Sequence, residues 1–370
     1  MASGSYATAL PFLEQALQMA RETSVPEKEA CACMLDLAYL YKNQGKLKSA
    51  ETTCLSGLAL QQKVYHPNHP YVAHTLRILS EIYRKQAKYP QAANALERAL
   101  TIIRDVSRAD DLELAPFKVD MARLFVAQGK YAHAESYYKE ALEIIETNYG
   151  PEHFYTTKVL VSMAELYVRQ GRYSETESLI TRILPIQERV FGPDHSLLVP
   201  VWLIASRIHQ AKGDLKTTKT FLEKSLEAVE NHTVSDYLIE SDIRIRWGEF
   251  YRSCNECQKA EEAFQKALQI LQSAENAHAG RIATALNNLA KIYIDQGRFS
   301  KAQPLCRKAL DMLESVFEQN HPSMLDVLET LAQLHHEKGD TAEATKLKQR
   351  IEEIRMQQRE TYAPVATAME

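Results

Sequence analysis

Apolar and small residues recur along this chain with the periodicity of a helix. In one representative segment, Leu289 and Ile292 lie eight and five positions before Gly297, and the small residue Ala290 lies between them. These spacings place the side chains on one stripe of a helix with 3.6 residues per turn. A flat ring, Tyr293 in this segment, follows on the same stripe. The pattern predicts a helix, here called helix A, whose small position lets a second helix approach closely.

A second helix, called helix B, is predicted after the turn residue. Alanines recur five and twelve positions after the turn, such as Ala302 and Ala309, and a leucine, here Leu310, follows the second alanine. Small side chains packed against large ones favour an antiparallel helical hairpin. The unit occurs eight times with a constant period of 42 residues (for example 171 − 129 = 42). The turn residues are Gly45, Ala87, Gly129, Gly171, Gly213, Asn255, Gly297 and Gly339.

The turn requires a left-handed backbone, which glycine supplies and Asn255 tolerates. Alanine does not tolerate this conformation, so we expect Ala87 to lower the stability of the fold by about 1 kcal/mol. Histidines also recur in the connections from helix B to the next helix A, about one repeat or more apart. Because they cannot easily share a metal ion, we expect them to cap helices or to pack against neighbouring side chains. They are His69, His153, His195 and His321.

The repeats predict an all-α, right-handed superhelical solenoid of antiparallel helix pairs. Residues 1–360 are expected to form one solenoid of seventeen helices. A half repeat at 4–24 precedes the eight full repeats, and residues 361–370 are expected to form a frayed tail. The half repeat lacks its helix A, which suggests either a fragment of a longer protein or a lone capping helix. Pro116 and Pro200 lie thirteen positions before their turns. We expect irregular starts of helix A there.

The succession of small residue, aromatic ring, glycine and two alanines resembles the tetratricopeptide repeat (TPR). The 42-residue unit, with NLAKIYIDQGRFSKA, YYKEALEI and FGPDHS, is similar to the kinesin-light-chain type in particular. This resemblance covers nearly the whole chain and implies recognition of a partner through an inner groove lined by the A helices. The paired asparagines of the family's LNNLA motif are matched by Asn287 and Asn288, whereas Arg77 and Ile78 stand at these positions in another repeat.

Composition narrows the possible classes of protein. Glycine (12) and proline (13) are scarce for 370 residues, which favours long helices over many-stranded β structure. A formal net charge of −4 provides no global attraction for nucleic acid or an anionic membrane. No apolar run is long enough to cross a membrane, and the N-terminus lacks the pattern of a secretory signal. Six cysteines spread through the chain suit reduced thiols in a cytoplasmic protein.

The sequence contains no recognisable catalytic motif, so we predict no enzymatic activity, no cofactor and no metal site. Cys254 and Cys257 form a CxxC, but zinc would need two more ligands and a redox role would need a βαβ setting. His335 and His336 superficially resemble part of a metal motif. Since His335 occupies the ring position of helix A, we expect it to pack.

Charged residues six positions before the turns are expected to point into the groove, with signs that alternate over six repeats. They are Glu81, Arg123, Glu165, Arg207, Glu249 and Lys291. Opposite charges on A helices roughly 10 Å apart could form a ladder of salt bridges or bind a ligand, and the sequence leaves both open. In a wider inward set, bases outnumber acids six to three from His74 to Ala211, whereas acids dominate from Asp242 onward.

The leading interpretation is a protein–protein interaction scaffold that binds a partner protein or peptide in the concave groove. The alternative is a regulatory sensor arm whose superhelix responds to a small peptide or metabolite. We expect an acidic segment of a partner to bind the early, basic half of the groove. We expect no binding of nucleic acid and no membrane insertion, and the sequence allows a homo-oligomer without requiring one. The candidate binding residues are Arg77, Arg123, Lys158, Arg169, Arg207, Arg246, Asn287, Asn288 and Lys291.

Overall fold

The computed structural model describes residues 27–43, 46–106, 112–230, 237–273, 279–317 and 320–360. Within these ranges the chain forms sixteen α-helices, two short 3₁₀ helices and no β-strand. The prediction of an all-α helical repeat solenoid is therefore confirmed. The first of the seventeen predicted helices, the half repeat at 4–24 and the turn at Gly45 lie outside the described residues.

The helices alternate between A and B along the chain. The first four pairs are α1 (Glu27–Asn43) and α2 (Leu47–Val64), α3 (Pro70–Lys85) and α4 (Tyr89–Val106), α5 (Leu114–Ala127) and α6 (Tyr131–Tyr149), and α7 (Phe154–Arg169) and α8 (Tyr173–Phe191). The last four are α9 (Val199–Ala211) and α10 (Leu215–Glu230), α11 (Tyr237–Ser253) and α12 (Cys257–Ser273), α13 (Ala279–Asp295) and α14 (Phe299–Glu314), and α15 (Leu325–Glu337) and α16 (Thr341–Glu360).

The chain divides into two compact units. The first contains the described residues within 1–127 and 133–159, and the second contains those within 128–132 and 160–370. In the first unit, α1 packs on α2 and α3 on α4, and the A helices α1, α3 and α5 also contact one another in succession. In the second unit, α9, α11, α13 and α15 each pack on their own helix B, and these four A helices contact one another in succession. Each unit is thus a stack of helix pairs in contact with their neighbours.

The small position of helix A is buried in every repeat, as the sequence predicts. Its residues are Ala38, Ser80, Ala122, Ala164, Ser206, Gly248, Ala290 and Ala332. At Gly248 the approach leaves no room for a side chain, because a Cβ placed there would lie 2.6 Å from the ring of Phe264 on α12. The helices of this pair therefore depend on a residue without a side chain at the point of contact.

The turns have the predicted left-handed conformation at all seven described turn positions. Five are glycines, and Ala87 and Asn255 each have a φ of 59°. The N–H of the following residue donates back to the carbonyl of the ring residue, as from Lys88 to Tyr83 over 2.9 Å. This backward hydrogen bond is the helix-ending motif that requires a left-handed residue between its partners.

The residue after the turn also contacts the ring of helix A, a relation that the sequence analysis did not identify. The guanidinium of Arg172 lies 4.0 Å from the ring centroid of Tyr167. Where the ring belongs to a histidine, an aspartate follows the turn instead, and Nδ1 of His335 lies 3.0 Å from Oδ2 of Asp340. The predicted packing role of His335, which is 7% exposed, is confirmed.

The histidines between helix B and the next helix A act as caps. In each, Nδ1 accepts a hydrogen bond from the backbone N–H two residues later, over 3.1–3.2 Å. Each ring also packs on an aromatic ring at the end of the preceding helix, with centroids 4.2–5.3 Å apart. This satisfies a backbone donor that the helix start leaves without a partner. The predicted capping and packing role of His69, His153, His195 and His321 is confirmed.

Prolines shape both kinds of helix. A 3₁₀ turn over Ser196–Leu198 precedes α9, so Pro200 falls in its first turn, and α5 begins only two residues before Pro116. The predicted irregular starts are confirmed. Pro185 and Pro304 lie inside the B helices α8 and α14, which the sequence analysis did not anticipate.

Candidate partner-binding surfaces

In the first unit, polar side chains connect the A helices α1, α3 and α5. Nζ of Lys42 donates to Oε2 of Glu81 over 2.5 Å. The carboxylate of Asp120 accepts from two arginines, Nη1 of Arg77 at 2.7 Å and Nη1 of Arg123 at 3.2 Å. We call the surface that these residues form with two neighbouring bases the first polar face. Its residues are Lys42, Arg77, Glu81, Arg84, Lys85, Asp120 and Arg123.

The first polar face carries more positive than negative charge. Five bases stand against two acids, an excess of three (5 − 2 = 3). Burial alone would raise the pKa of Glu81, but the charges of Lys42, Lys85 and Arg84 hold it below its ordinary value. Burial alone would lower the pKa of Arg123, and Asp120 reverses this effect. Both groups therefore stay charged at neutral pH.

Lys158 and Arg169 lie on α7 outside this face, and both are exposed. Nζ of Lys158 lies 4.8 Å from the ring centroid of Phe154 and 5.1 Å from that of Tyr155. Arg169 lies close enough to Tyr131 to affect its ionisation: burial raises the pKa of Tyr131, and the charge of Arg169 opposes the rise. Each of these predicted binding residues thus has an aromatic neighbour.

In the second unit, a buried arginine organises the polar surface of α9 and α11. Arg246 is 5% exposed and forms an ion pair with Glu249 on its own helix. Its Nη2 donates to Oε1 of Gln210 over 2.8 Å, and its guanidinium reaches the hydroxyl of Ser206 at 3.4 Å. Nη2 of Arg207 lies 3.8 Å from Oε2 of Glu249. Arg246 is consequently a structural group that fixes Glu249 rather than an accessible cation.

The two asparagines continue this surface on α13. Asn288 donates to Oε1 of Glu249 over 3.1 Å, and Asn287 donates to Oδ2 of Asp326 over 2.7 Å. Lys291 binds the other oxygen of Asp326, at 2.5 Å. Oδ1 of Asn287 is buried and accepts no hydrogen bond from the described part of the chain. The second polar face is Ser206, Arg207, Gln210, Arg246, Glu249, Asn287, Asn288, Lys291 and Asp326.

The charge ladder has other partners than the sequence analysis assigned. Of the alternating pairs, Arg207 and Glu249 form an ion pair. Arg123 binds Asp120 in place of Glu81, and Lys291 binds Asp326 in place of Glu249. Asp120 lies on the same helix as Arg123, whereas Asp326 lies on the A helix that follows that of Lys291. A charge six positions before the turn can therefore pair within its own helix or with the next A helix.

The acidic excess expected from Asp242 onward is offset by bases outside the set that the sequence analysis counted. Arg281 binds Asp242 through two bonds of 2.7 and 2.9 Å, and Arg252 binds Asp295 through two bonds of 2.7 and 3.1 Å. These partners are 39 and 43 residues apart. A search for opposite charges about one repeat apart would have found them.

Other candidate chemistry is limited in the described residues. No group of three or more histidines, cysteines, aspartates or glutamates there is arranged to hold a metal ion. Cys254 and Cys257 are half-buried free thiols beside the turn at Asn255. None of the described helices is both long and apolar enough to cross a membrane.

Repeated helix pairs that present polar A-helix faces define a class of protein, the helical repeat scaffold for protein interactions. A family model for the tetratricopeptide repeat matches residues 155–231, 240–315 and 281–357, and a model for the MalT-like TPR region matches residues 1–149. The chain belongs to the tetratricopeptide repeat family. Comparison with curated proteins found no match.

Solved structures share this fold at low sequence identity. A Rap protein complexed with Competence and Sporulation Factor is 15% identical, with a TM-score of 0.62, over 91% of this chain and 100% of that chain. BtubC from P. vanneervenii is 18% identical, with a TM-score of 0.51, over 63% and 93%. A chain of the APC/C hetero-tetramer Cut9-Hcn1 is 13% identical, with a TM-score of 0.59, over 98% and 59%.

Proposed function

We propose that this chain binds a segment of a partner protein along its A helices, and that acidic side chains of the partner bind Arg207 of the second polar face as well as the first polar face. The observation that supports this proposal is the excess of three positive charges on that face. Stacked repeats present successive A helices as an extended binding surface. Arginine is well suited to bind carboxylates, because its planar guanidinium presents paired donors.

Two arginines are accessible enough to contact a partner. The side chain of Arg123 is 45% exposed in the first unit, and that of Arg207 is 42% exposed in the second. Each contacts an internal carboxylate at 3.2 Å or more, through one nitrogen only. The two carboxylates, Asp120 and Glu249, each keep a second arginine as partner, Arg77 and Arg246 respectively. A partner carboxylate can therefore bind these guanidiniums at small cost to the fold.

One structural neighbour provides a precedent for ligand binding by this fold. The Rap protein that shares the fold was crystallised in complex with Competence and Sporulation Factor. For the chain described here, the charge of the A-helix faces favours a protein segment rich in aspartate and glutamate. The binding reaction involves recognition only, with no covalent step.

The test uses peptides selected from a random library displayed on phage. We expect the selected peptides to be acidic and their affinity to fall with added salt, because exposed ion pairs are screened. The double variant Arg123→Glu with Arg207→Glu should abolish binding, measured by isothermal titration calorimetry. Its thermal unfolding midpoint should stay close to that of the parent protein.

The matched control reverses two lysines on the B helices. Lys139 and Lys219 are 62% and 56% exposed, and each binds a glutamate on its own helix. Lys139→Glu with Lys219→Glu changes the net charge equally and should leave binding intact. If Arg123→Glu with Arg207→Glu instead lowers stability while the folded fraction still binds peptide, the arginines only hold the scaffold together.

A further inference from the structure

We propose that Arg77, Asp120 and Arg123 form a site for a phosphoryl group on a phosphorylated side chain of the partner. The inference rests on the proposed function and names the ligand group that the first polar face recognises. In this arrangement Asp120 is an internal anion that holds two guanidiniums side by side. The phosphoryl group then binds the donors that Asp120 leaves unused.

The geometry brings two arginines from adjacent A helices to one carboxylate. Asp120 is 7% exposed, and its Oδ2 lies 2.7 Å from Nη1 of Arg77 while its Oδ1 lies 3.2 Å from Nη1 of Arg123. Because both oxygens belong to a single carboxylate, the two guanidiniums converge on one point between α3 and α5. The ring of Phe117 lies 5.7 Å from the guanidinium carbon of Arg77 and supports it from one side.

Most of the hydrogen-bond donors of this arginine pair are uncommitted. A guanidinium has five N–H donors on three nitrogens. Arg77 and Arg123 each use one nitrogen, Nη1, for Asp120, and their other nitrogens form no hydrogen bond to a described residue. Nε of Arg77 is buried without a partner there.

The surrounding charge favours an anion with more than one negative charge. Asp120 neutralises one arginine of the pair, and Glu81 is already bound by Lys42. Arg84, which forms no ion pair with any described residue, lines the same cleft as Glu81 and Asp120. The first polar face as a whole keeps an excess of three positive charges.

A phosphoryl group matches both the charge and the donor count better than a single carboxylate. It carries about −1.5 to −2 charges at pH 7 and three strong acceptor oxygens. Arginine pairs bind such groups through parallel hydrogen bonds, which a lysine at the same position cannot form. The geometry thus favours phosphoserine or phosphothreonine within an acidic segment over glutamate alone.

The experiment compares three pools of a degenerate acidic peptide whose central residue is phosphoserine, glutamate or serine. We expect the phosphoserine pool to bind at least about tenfold more tightly than the glutamate pool, as measured by fluorescence anisotropy. Equal binding of the two pools would contradict the phosphoryl site and leave the proposed binding of acidic segments intact. If no pool binds, the proposed function of this face is itself wrong.

Variants test whether the preference originates at the arginine pair. Arg123→Gln and Arg77→Gln should each remove the preference for phosphoserine, and Arg123→Lys should reduce it about tenfold although the charge is retained. Arg123 is 45% exposed, so its variants keep the test valid even if Arg77→Gln does not fold. Lys139→Gln on α6 is the matched control and should bind like the parent protein. A preference that survives both glutamine variants would contradict the assignment.

Discussion

At the scale of single residues, Ala87 shows how strictly the repeat fixes its turn. It adopts a φ of 59° at a position that is glycine in the other described repeats, apart from Asn255. The left-handed conformation costs an alanine about 1 kcal/mol relative to glycine. We expect Ala87→Gly to raise the free energy of unfolding by up to about 1 kcal/mol, measured by chemical denaturation.

The reverse substitution serves as the control for this expectation. Gly171 has a φ of 71°, and a Cβ placed there would meet no atom within 4 Å. Gly171→Ala therefore introduces the backbone strain without a steric clash, and it should lower stability by about 1 kcal/mol. If Ala87→Gly lowers the unfolding midpoint, the turn at Ala87 is not left-handed in solution.

The buried ion pairs of Glu249 should make the stability of the protein depend on pH. Burial alone would raise its pKa, but Arg246 and Arg207 hold the pKa below its ordinary value. A lowered pKa in the folded state contributes stability above the unfolded-state pKa near 4.5, and this contribution is lost as the pH falls through the lower folded-state value. We expect the free energy of unfolding to fall below about pH 4.5, and to fall less steeply in Glu249→Gln.

A surface carboxylate distinguishes this effect from a general response to acid. Glu223 is 57% exposed and lies 3.4 Å from Lys219 on the same helix. Glu223→Gln should keep the pH dependence of the parent protein, followed by urea denaturation at a series of pH values. Equal slopes for the parent protein and Glu249→Gln would show that Arg246 does not stabilise the ionised form of Glu249.

At the scale of helices, the contact between α11 and α12 leaves no room for a side chain at Gly248. Gly248 replaces the alanine or serine of the other repeats and faces Phe264, whose ring would lie 2.6 Å from an added Cβ. We expect Gly248→Ala to destabilise the protein by about 1–3 kcal/mol, because the core must shift to accept the methyl group. Thermal unfolding followed by circular dichroism measures the loss.

The matching substitution on α12 should restore this packing. Leucine stands at the position of Phe264 in two other repeats, at Leu96 and Leu222, where the facing small residue is Ser80 or Ser206. Gly248→Ala combined with Phe264→Leu should therefore be more stable than Gly248→Ala alone. If the two changes are simply additive, the glycine and the ring do not depend on each other.

The helices themselves could be predicted from sequence, whereas the partners of the charged side chains could not. Apolar periodicity and the turn residues define α3 or α13 locally, so their existence follows from a short segment. Arg123 pairs with Asp120 on its own helix rather than with Glu81 on the preceding A helix. This choice depends on side-chain rotamers and on how the two helices are offset along their axes. Pro185 and Pro304 are tolerated inside B helices, where tertiary packing outweighs the lost hydrogen bond.

At the scale of the whole molecule, the buried cysteines report unfolding in each unit. Cys54 lies in the first unit and Cys306 in the second, both 0% exposed, and burial raises the pKa of each thiol to about 12. We expect a thiol reagent at pH 8 to modify both only through unfolding, since the thiolate is the reactive form. Mass spectrometry of digested samples measures each rate.

The half-buried thiols give the reference rate for this measurement. Cys254 and Cys257 beside a turn of α11 and α12 should react without unfolding, well before Cys54 and Cys306. Urea should accelerate modification of the two buried cysteines much more than that of the reference pair. Rapid modification of Cys54 in the absence of urea would mean that the first unit opens locally around α2.

The short reach of the contacts between repeats has a mechanical consequence. The longest-range side-chain bonds described, Arg77 to Asp120 and Arg252 to Asp295, span 43 positions, about one repeat. A pulling force on the two ends would therefore oppose one inter-repeat interface at a time. Each repeat of 42 residues would release about 150 Å of chain when it unravels. Under tension the molecule would therefore lengthen in a series of reversible steps, one repeat at a time.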